Sequence, residues 1–215
     1  MTQAPHRSRH TRSRIYLVRH GETAFNADGR IRGCSDVGLN ARGDAQARAL
    51  ATMLGGCHIQ RVVTGPLLRA RQTAGRIALA AGTNVEVVAG LLDRDYGPWN
   101  GWPLAEVRAL FGRTDRAPGI EPYATFAARI HEAWLGILAA LGLGENLVIV
   151  AHNAVNAALL RGLFPAYPSP RGRIAQRPGC WNLIEVDAHA CSLRTVNALP
   201  GTRRGVPSRA YPDLS

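Results

Sequence analysis

The chain has 215 residues, 46% of them hydrophobic, which is enough for one sizeable core. Its 26 basic residues, every one an arginine, outnumber 15 acidic ones for a formal charge of +11, a balance that favours anionic ligands. Met1–Arg14 is polar and basic throughout and lacks a secretory apolar core, and no run is long and apolar enough for a membrane span. Cys34, Cys57, Cys180 and Cys191 show neither CxxC pairing nor metal-like spacing with histidine, so reduced thiols in a cytoplasmic protein are the expectation.

Residues 1–14, with Arg7, Arg9, Arg12 and Arg14, read as a disordered basic arm, and residues 199–215, with Arg203, Arg204 and Arg209, as an Arg- and Pro-containing tail. No aromatic residue interleaves with the arm's arginines and no nucleic-acid motif appears, so a solvated arm is expected and nucleic acid is not among the expected partners. Residues 15–198 read as one domain. Ile15–Val18 is a buried strand by its apolar run, and Gly43–Leu54 is helical, with Ala45, Ala49 and Leu50 recurring on one face. Arg61–Thr64 is a short strand, Ala70–Ala81 a helix and Val85–Val88 a third apolar run. A long helix over Tyr123–Leu141 carries Phe126, Ile130, Trp134, Ile137 and Leu141 at helical spacing. Leu147–Ala151 is the strongest strand, a helix over Ala154–Leu163 follows it, and Asn182–Asp187 with Ser192–Asn197 closes the chain as an antiparallel pair. Continuously apolar strands alternating with helices predict an α/β fold, a three-layer sandwich whose mostly parallel central sheet is flanked by helices in a single domain.

Three of these strands end in residues suited to phosphate chemistry. The first runs into Arg19-His20-Gly21-Glu22-Thr23, the second reaches Thr64 just before Gly65, Pro66 and Arg69, and Leu147–Ala151 ends in His152-Asn153 before a helix. In an open α/β sheet ligands bind at the carboxyl edge of the strands. Two arginines, two histidines and a helix N-terminus at that edge make an electropositive pocket for a tetrahedral dianion. A neutral imidazole beside a guanidinium is suited to attack phosphorus while the cation gathers the phosphoryl oxygens.

The chain resembles the histidine phosphatase superfamily, which includes the cofactor-dependent phosphoglycerate mutases. The resemblance spans Ile15 to Asn197 and rests on five ordered blocks: Arg19-His20-Gly21-Glu22-Thr23 with Asn26; Asp36-Val37-Gly38-Leu39-Asn40 with Gly43 and Gln46-Ala47; Pro66-Leu67, Arg69-Ala70 and Gln72-Thr73-Ala74; Asp93-Arg94-Asp95-Tyr96-Gly97 with Trp99 and Gly101; and Val148-Ile149-Val150-Ala151-His152. It implies a metal-independent phosphomonoester hydrolase with no cofactor, acting on a small phosphorylated metabolite. It further implies that His20 is the nucleophile, transiently phosphorylated, and that Arg19, Arg69 and His152 bind the phosphoryl oxygens with Asn26 a further contact. Asp93 falls at the family's general-acid position, with Asp95 as the competing candidate. Asn153, next to the second histidine, is expected to line the pocket wall and contact substrate. A homodimer is compatible with this reading.

The sequence also departs from the family's pattern. Asp93 stands where glutamate is usual, Asn153 where glycine is common, Gly65 where a serine is common, and Ile120-Glu121-Pro122 near the family's Gly-Glu-Ser segment. Trp99 and Trp102 are read as packing, with a substrate-lining role as the alternative. His6 and His10 lie in the arm, and His58, His131 and His189 have no motif context and read as surface or satisfied core residues. The stretch Gly101–Pro122, with Arg108, Arg113 and Arg116, is expected to cover the pocket without naming its substrate. Two other functions compete with hydrolysis: a phosphomutase that returns the phosphoryl group to a second hydroxyl, and a module that binds a phosphorylated ligand without turnover.

Overall fold

A computed structural model describes residues 12–167, 174–187 and 190–202. Most of the arm and the tail, with His6, His10 and His189, therefore lie outside the described residues.

Among the described residues six strands form one sheet: β1 (Ser13–Arg19), β2 (Arg61–Thr64), β3 (Val85–Val87), β4 (Asn146–Ala151), β5 (Trp181–Val186) and β6 (Cys191–Ala198). Their order is β3-β2-β4-β1-β5-β6. The first four neighbours pair in parallel, and β5 and β6 add the antiparallel closing pair. Among the described residues six α-helices accompany the sheet: α1 (Ala24–Ala27), α2 (Ala41–Gly55), α3 (Leu68–Ala81), α4 (Leu104–Phe111), α5 (Tyr123–Ala139) and α6 (Asn153–Leu163).

Alternation along the central strands builds two cores, one on each face. Ile15, Leu17, Leu147 and Ile149 turn toward α5 and α6 and meet Phe126, Ile130, Trp134, Val155 and Leu159. Tyr16, Val18, Val148 and Val150 turn the other way, onto Leu50 and Leu54 of α2 and Ala74 and Ile77 of α3. Because β1 and β4 are covered on both faces, apolar residues occupy successive positions rather than every second one. The sheet is thus the middle layer of three, as the sequence predicts.

β1 starts at Ser13, ahead of its apolar run, because Arg14 pairs on one side with Asn146 and on the other with Glu185, whose carboxylate also faces the Arg14 guanidinium at 3.6 Å. β3 is brief and largely exposed, as an edge strand should be. Asn40 caps α2 by accepting the Gly43 N–H at 2.8 Å, which sets that helix two residues earlier than its apolar pattern suggests.

The segment between β3 and β4 that covers the sheet edge is more structured than its sequence indicates. It holds α4 and three short 3₁₀ turns, Ala89–Leu91, Gly97–Trp99 and Thr114–Arg116. Ile31, Val107 and Ala117 form a small core there, with Trp99, Leu104 and Phe111 packed against it. Trp99 meets Phe111 edge-on at 5.0 Å and donates its indole N–H to the Pro118 carbonyl at 2.8 Å, so it packs the cover rather than lining the pocket.

Candidate active site

Parallel pairing decides where the two histidines emerge. Val18 lies opposite Val150 and Arg19 opposite Ala151, so His20 and His152 are the next residues off two adjacent strands. The His20 N–H extends the ladder by donating to the Ala151 carbonyl at 3.0 Å. The rings sit 5.2 Å apart, centroid to centroid, and both are buried. The turn after His20 is tight. A Cβ on Gly21 would lie 2.3 Å from the Gly43 carbonyl oxygen, and one on Gly43 would lie 2.0 Å from that of Glu22. The two glycines let α2 start directly against the His20 turn.

Nδ1 of His20 lies 2.6 Å from the Gly21 carbonyl oxygen, which can only accept, so Nδ1 carries the proton. The lone pair is then on Nε2, which accepts from Nε of Arg69 at 3.3 Å. Burial, then the charges of His152, Arg19 and Arg69, hold the His20 pKa well below 6.5, so the ring is neutral at physiological pH.

Arg69 enters from the first turn of α3 and is fully buried. It donates to the carbonyls of Ser35 and Gly33, each at 2.8 Å, and to Asp93 Oδ2 at 3.1 Å, which fixes its guanidinium in one plane against His20. Arg19, at the end of β1, donates through Nη1 to the Gln176 carbonyl, while its buried Nε has no partner. Gln176 is held in turn by Asn182 and Asn156 in a buried amide cluster. Burial and the neighbouring charge of Arg32 lower the Arg19 pKa to about 10, still fully cationic near neutrality.

His152 precedes α6, and both of its ring nitrogens are buried without a hydrogen-bond partner. Asp93 Oδ2 stands 3.7 Å from its Nδ1. Burial lowers the His152 pKa to about 3, against the opposing pull of Asp93. Two buried imidazole nitrogens and one arginine N–H left unpaired at a single point are a site that a ligand completes, since unpaired buried polar groups are costly.

The structure separates the two candidate acids. Asp93 is buried between Arg69 and His152, with Oδ1 accepting the Arg94 N–H at 3.0 Å. Asp95 is turned into its own loop, where Oδ1 accepts from the Gly97 N–H at 2.9 Å and from Asn100 Nδ2 at 2.7 Å. Asn26 spends its carbonyl oxygen on the Thr23 capping box of α1, which leaves its amide N–H groups for other partners. Asn153 lines a cavity of about 170 Å³ together with Asp93 and Arg32. At Gly65 an added Cβ would lie 2.6 Å from the Leu91 carbonyl oxygen, so on this backbone the position accepts no side chain, serine included.

Two contributors, Arg32 and Arg129, escape the sequence reading, and Glu121, read there only as a residue that contacts the loops, does so. Arg32 borders the cavity and has a buried Nε without a partner. Arg129, from α5, donates to the carbonyls of Gly90, Leu92 and Asp93 at 3.1, 2.7 and 2.9 Å and so holds the backbone of the Asp93 loop. Glu121 clamps Arg129 with both carboxylate oxygens, at 2.8 and 3.0 Å, and accepts the Asp95 N–H. No local motif marks Arg129, because it works through backbone carbonyls 36 to 39 residues away in sequence. Among the described residues, no three His, Cys, Asp or Glu side chains gather as a metal-binding group, and no helix is long and apolar enough to cross a membrane.

The profile of the histidine phosphatase superfamily (branch 1) matches residues 15–199, so this chain belongs to that superfamily. Among its relatives, the adenosylcobalamin/alpha-ribazole phosphatase of Escherichia coli K12 is 28% identical over 200 residues, covering 86% of this chain and 96% of that protein. A probable phosphoglycerate mutase of Salmonella choleraesuis is 30% identical over 174 residues, covering 74% and 80%. A mycobacterial glucosyl-3-phosphoglycerate phosphatase, solved with VO3, superimposes with a TM-score of 0.75 at 27% identity, covering 86% of this chain and 98% of that one.

Proposed function

We propose that this chain hydrolyses the phosphomonoester of a small phosphorylated metabolite through a phosphohistidine on His20, with no metal ion taking part. The observation that carries the reading is a neutral, buried imidazole whose Nε2 lone pair faces Arg69, beside unpaired nitrogens of Arg19 and His152. In the first step Nε2 attacks phosphorus and the ester P–O bond breaks, while the leaving oxygen takes a proton from Asp93. In the second, Asp93 accepts a proton from water as that water attacks phosphorus, and the P–N bond breaks to release inorganic phosphate and neutral His20.

Arg19, Arg69 and His152 supply the charge that spreads over the equatorial oxygens, which is most of what phosphoryl transfer asks of a protein. Asn153, which lines the cavity, offers an amide donor to the substrate, and Asn26 is the further contact the family resemblance implies. By its resemblance to the family, the segment between Asp93 and His152 is short compared with what the mutase branch carries there, and a more open pocket admits water, which favours hydrolysis over the phosphomutase. The test is phosphate release from a panel of phosphomonoesters with and without EDTA. The reading expects equal rates in both, inhibition by vanadate, and no release by His20→Ala; strict dependence on added metal contradicts it.

A further inference from the structure

Three side-chain amides lie behind Arg19, in a layer that is otherwise largely apolar. Gln176 is 4% exposed, and Asn156 and Asn182 are fully buried. Asn182 of β5 lies opposite Leu17 of β1, on the face of the sheet that α6 covers. Its amide is fully used. Nδ2 donates to the Leu17 carbonyl and to Gln176 Oε1, both at 2.8 Å, while Oδ1 accepts from Gln176 Nε2 at 2.8 Å and from the Asn197 N–H at 2.9 Å. Asn156, one turn along α6 from His152, adds a donor to Gln176 Oε1 at 3.2 Å. Side chains from β5 and α6 thus grip Gln176 together.

The bonds continue through the backbone of the Gln176–Cys180 turn to the reaction centre. The Gln176 carbonyl accepts from Arg19 Nη1, and the Cys180 carbonyl accepts the Arg19 N–H at 2.9 Å. The Gly179 N–H donates to the His20 carbonyl at 3.1 Å. Arg19 is therefore held at one end of its guanidinium, while its buried Nε has no partner. Buried amides cost stability unless they are paired, and apolar side chains would fill the space behind Arg19 without that cost. An interlocked amide cluster does what apolar packing does not: it fixes the Gln176 carbonyl at one point, and with it the plane of the guanidinium. Donors fixed in advance are what stabilise charge spread over phosphoryl oxygens.

We infer that Gln176 and Asn182 are positioning residues for the reaction at His20. The Asn182 amide locks the Gln176 turn, and the Gln176 carbonyl aims Arg19 so that its Nε meets a phosphoryl oxygen. Both act through Arg19, whose part in the reaction rests on the proposed phosphatase reading.

Vanadate binding followed by calorimetry tests this without turnover. Gln176→Met keeps the carbonyl and removes the amide that locks it. It should weaken vanadate binding by about tenfold or more where Arg19 is present, and by less than about twofold in Arg19→Met, because the loss is transmitted by that arginine. Asn182→Leu, which removes the lock from the other side, should follow the same pattern. An equal loss in both backgrounds would mean that the cluster only supports the fold, and overturns the inference, as does the absence of any loss. Nitrogen-15 NMR of the unsubstituted chain gives a reading that does not depend on the folding of any variant. A guanidinium held at Nη1 should show separate Arg19 Nη resonances, and a single averaged resonance contradicts the lock. Turnover of 4-nitrophenyl phosphate by the unsubstituted chain is read separately. Its absence, together with vanadate binding that needs both Gln176 and Arg19, contradicts the hydrolase and supports the positioning role.

Discussion

At the scale of single residues, the chemistry turns on which nitrogen of His20 carries the proton. The Gly21 carbonyl fixes it on Nδ1, and Arg69 faces the lone pair on Nε2. Asp93 and Asp95, two residues apart, have opposite fates: one is buried against Arg69 and His152, and the other closes a loop turn. In the reading proposed, the proton from Asp93 matters in proportion to the basicity of the leaving oxygen. Asp93→Asn should therefore slow hydrolysis of alkyl phosphates by about 10²-fold or more, yet change the rate with 4-nitrophenyl phosphate little. A leaving-group series in steady state measures this, and equal losses across the series would remove Asp93 from the acid role. Asp95→Asn should cost stability instead, since its carboxylate anchors Gly97 and Asn100.

At the scale of elements, the site is made by register and by close backbone approach. Parallel β1 and β4 deliver the two histidines side by side, and α2 can begin against the first of them because Gly21 and Gly43 have no side chains. In Gly43→Ala the new methyl group meets backbone on its near side, where no rotamer change relieves it. It should destabilise the fold by about 3 kcal/mol, seen as a lowered midpoint in chemical denaturation at unchanged slope. The strands and main helices were legible because each carries a strong apolar pattern. Their ends were less so: Asn40 starts α2 and Leu68 starts α3 ahead of the apolar periodicity. The cover was hardly legible, because α4 spans only eight residues and its small core is assembled from Ile31, Val107 and Ala117, far apart in sequence. Arg19, His20, Arg69, Asp93 and His152 stood out because each lies at a strand end, at a helix start or in a motif. Arg129 did not, since it holds the Asp93 loop through carbonyls 36 to 39 residues away, and Arg32 did not, since only the fold brings it beside Asp93 and Asn153.

At the scale of the whole molecule, a strongly basic chain concentrates cations at one sheet edge and keeps two imidazoles neutral among them. That arrangement ties folding to pH. Both histidines have folded-state pKa values below 6.5, about 3 for His152, so below pH 6.5 the unfolded chain takes up protons that the folded chain refuses. The stability they confer is complete above pH 6.5 and is lost as pH falls toward 3. Each imidazole contributes a slope of at most about 1.4 kcal/mol per pH unit. Thermal unfolding followed between about pH 7.5 and pH 5 should show this decline, and His152→Asn should flatten it.

The central claim is that His20 carries the phosphoryl group between ester and water. Rapid-quench mass spectrometry of the intact protein, mixed with a turned-over phosphomonoester, tests it most directly. The account predicts an acid-labile gain of about 80 Da, one phosphoryl group, that maps to His20, appears before free phosphate and decays as phosphate is released. Phosphate release with no adduct at any time, or an adduct that maps to another residue and persists in His20→Ala, would contradict it.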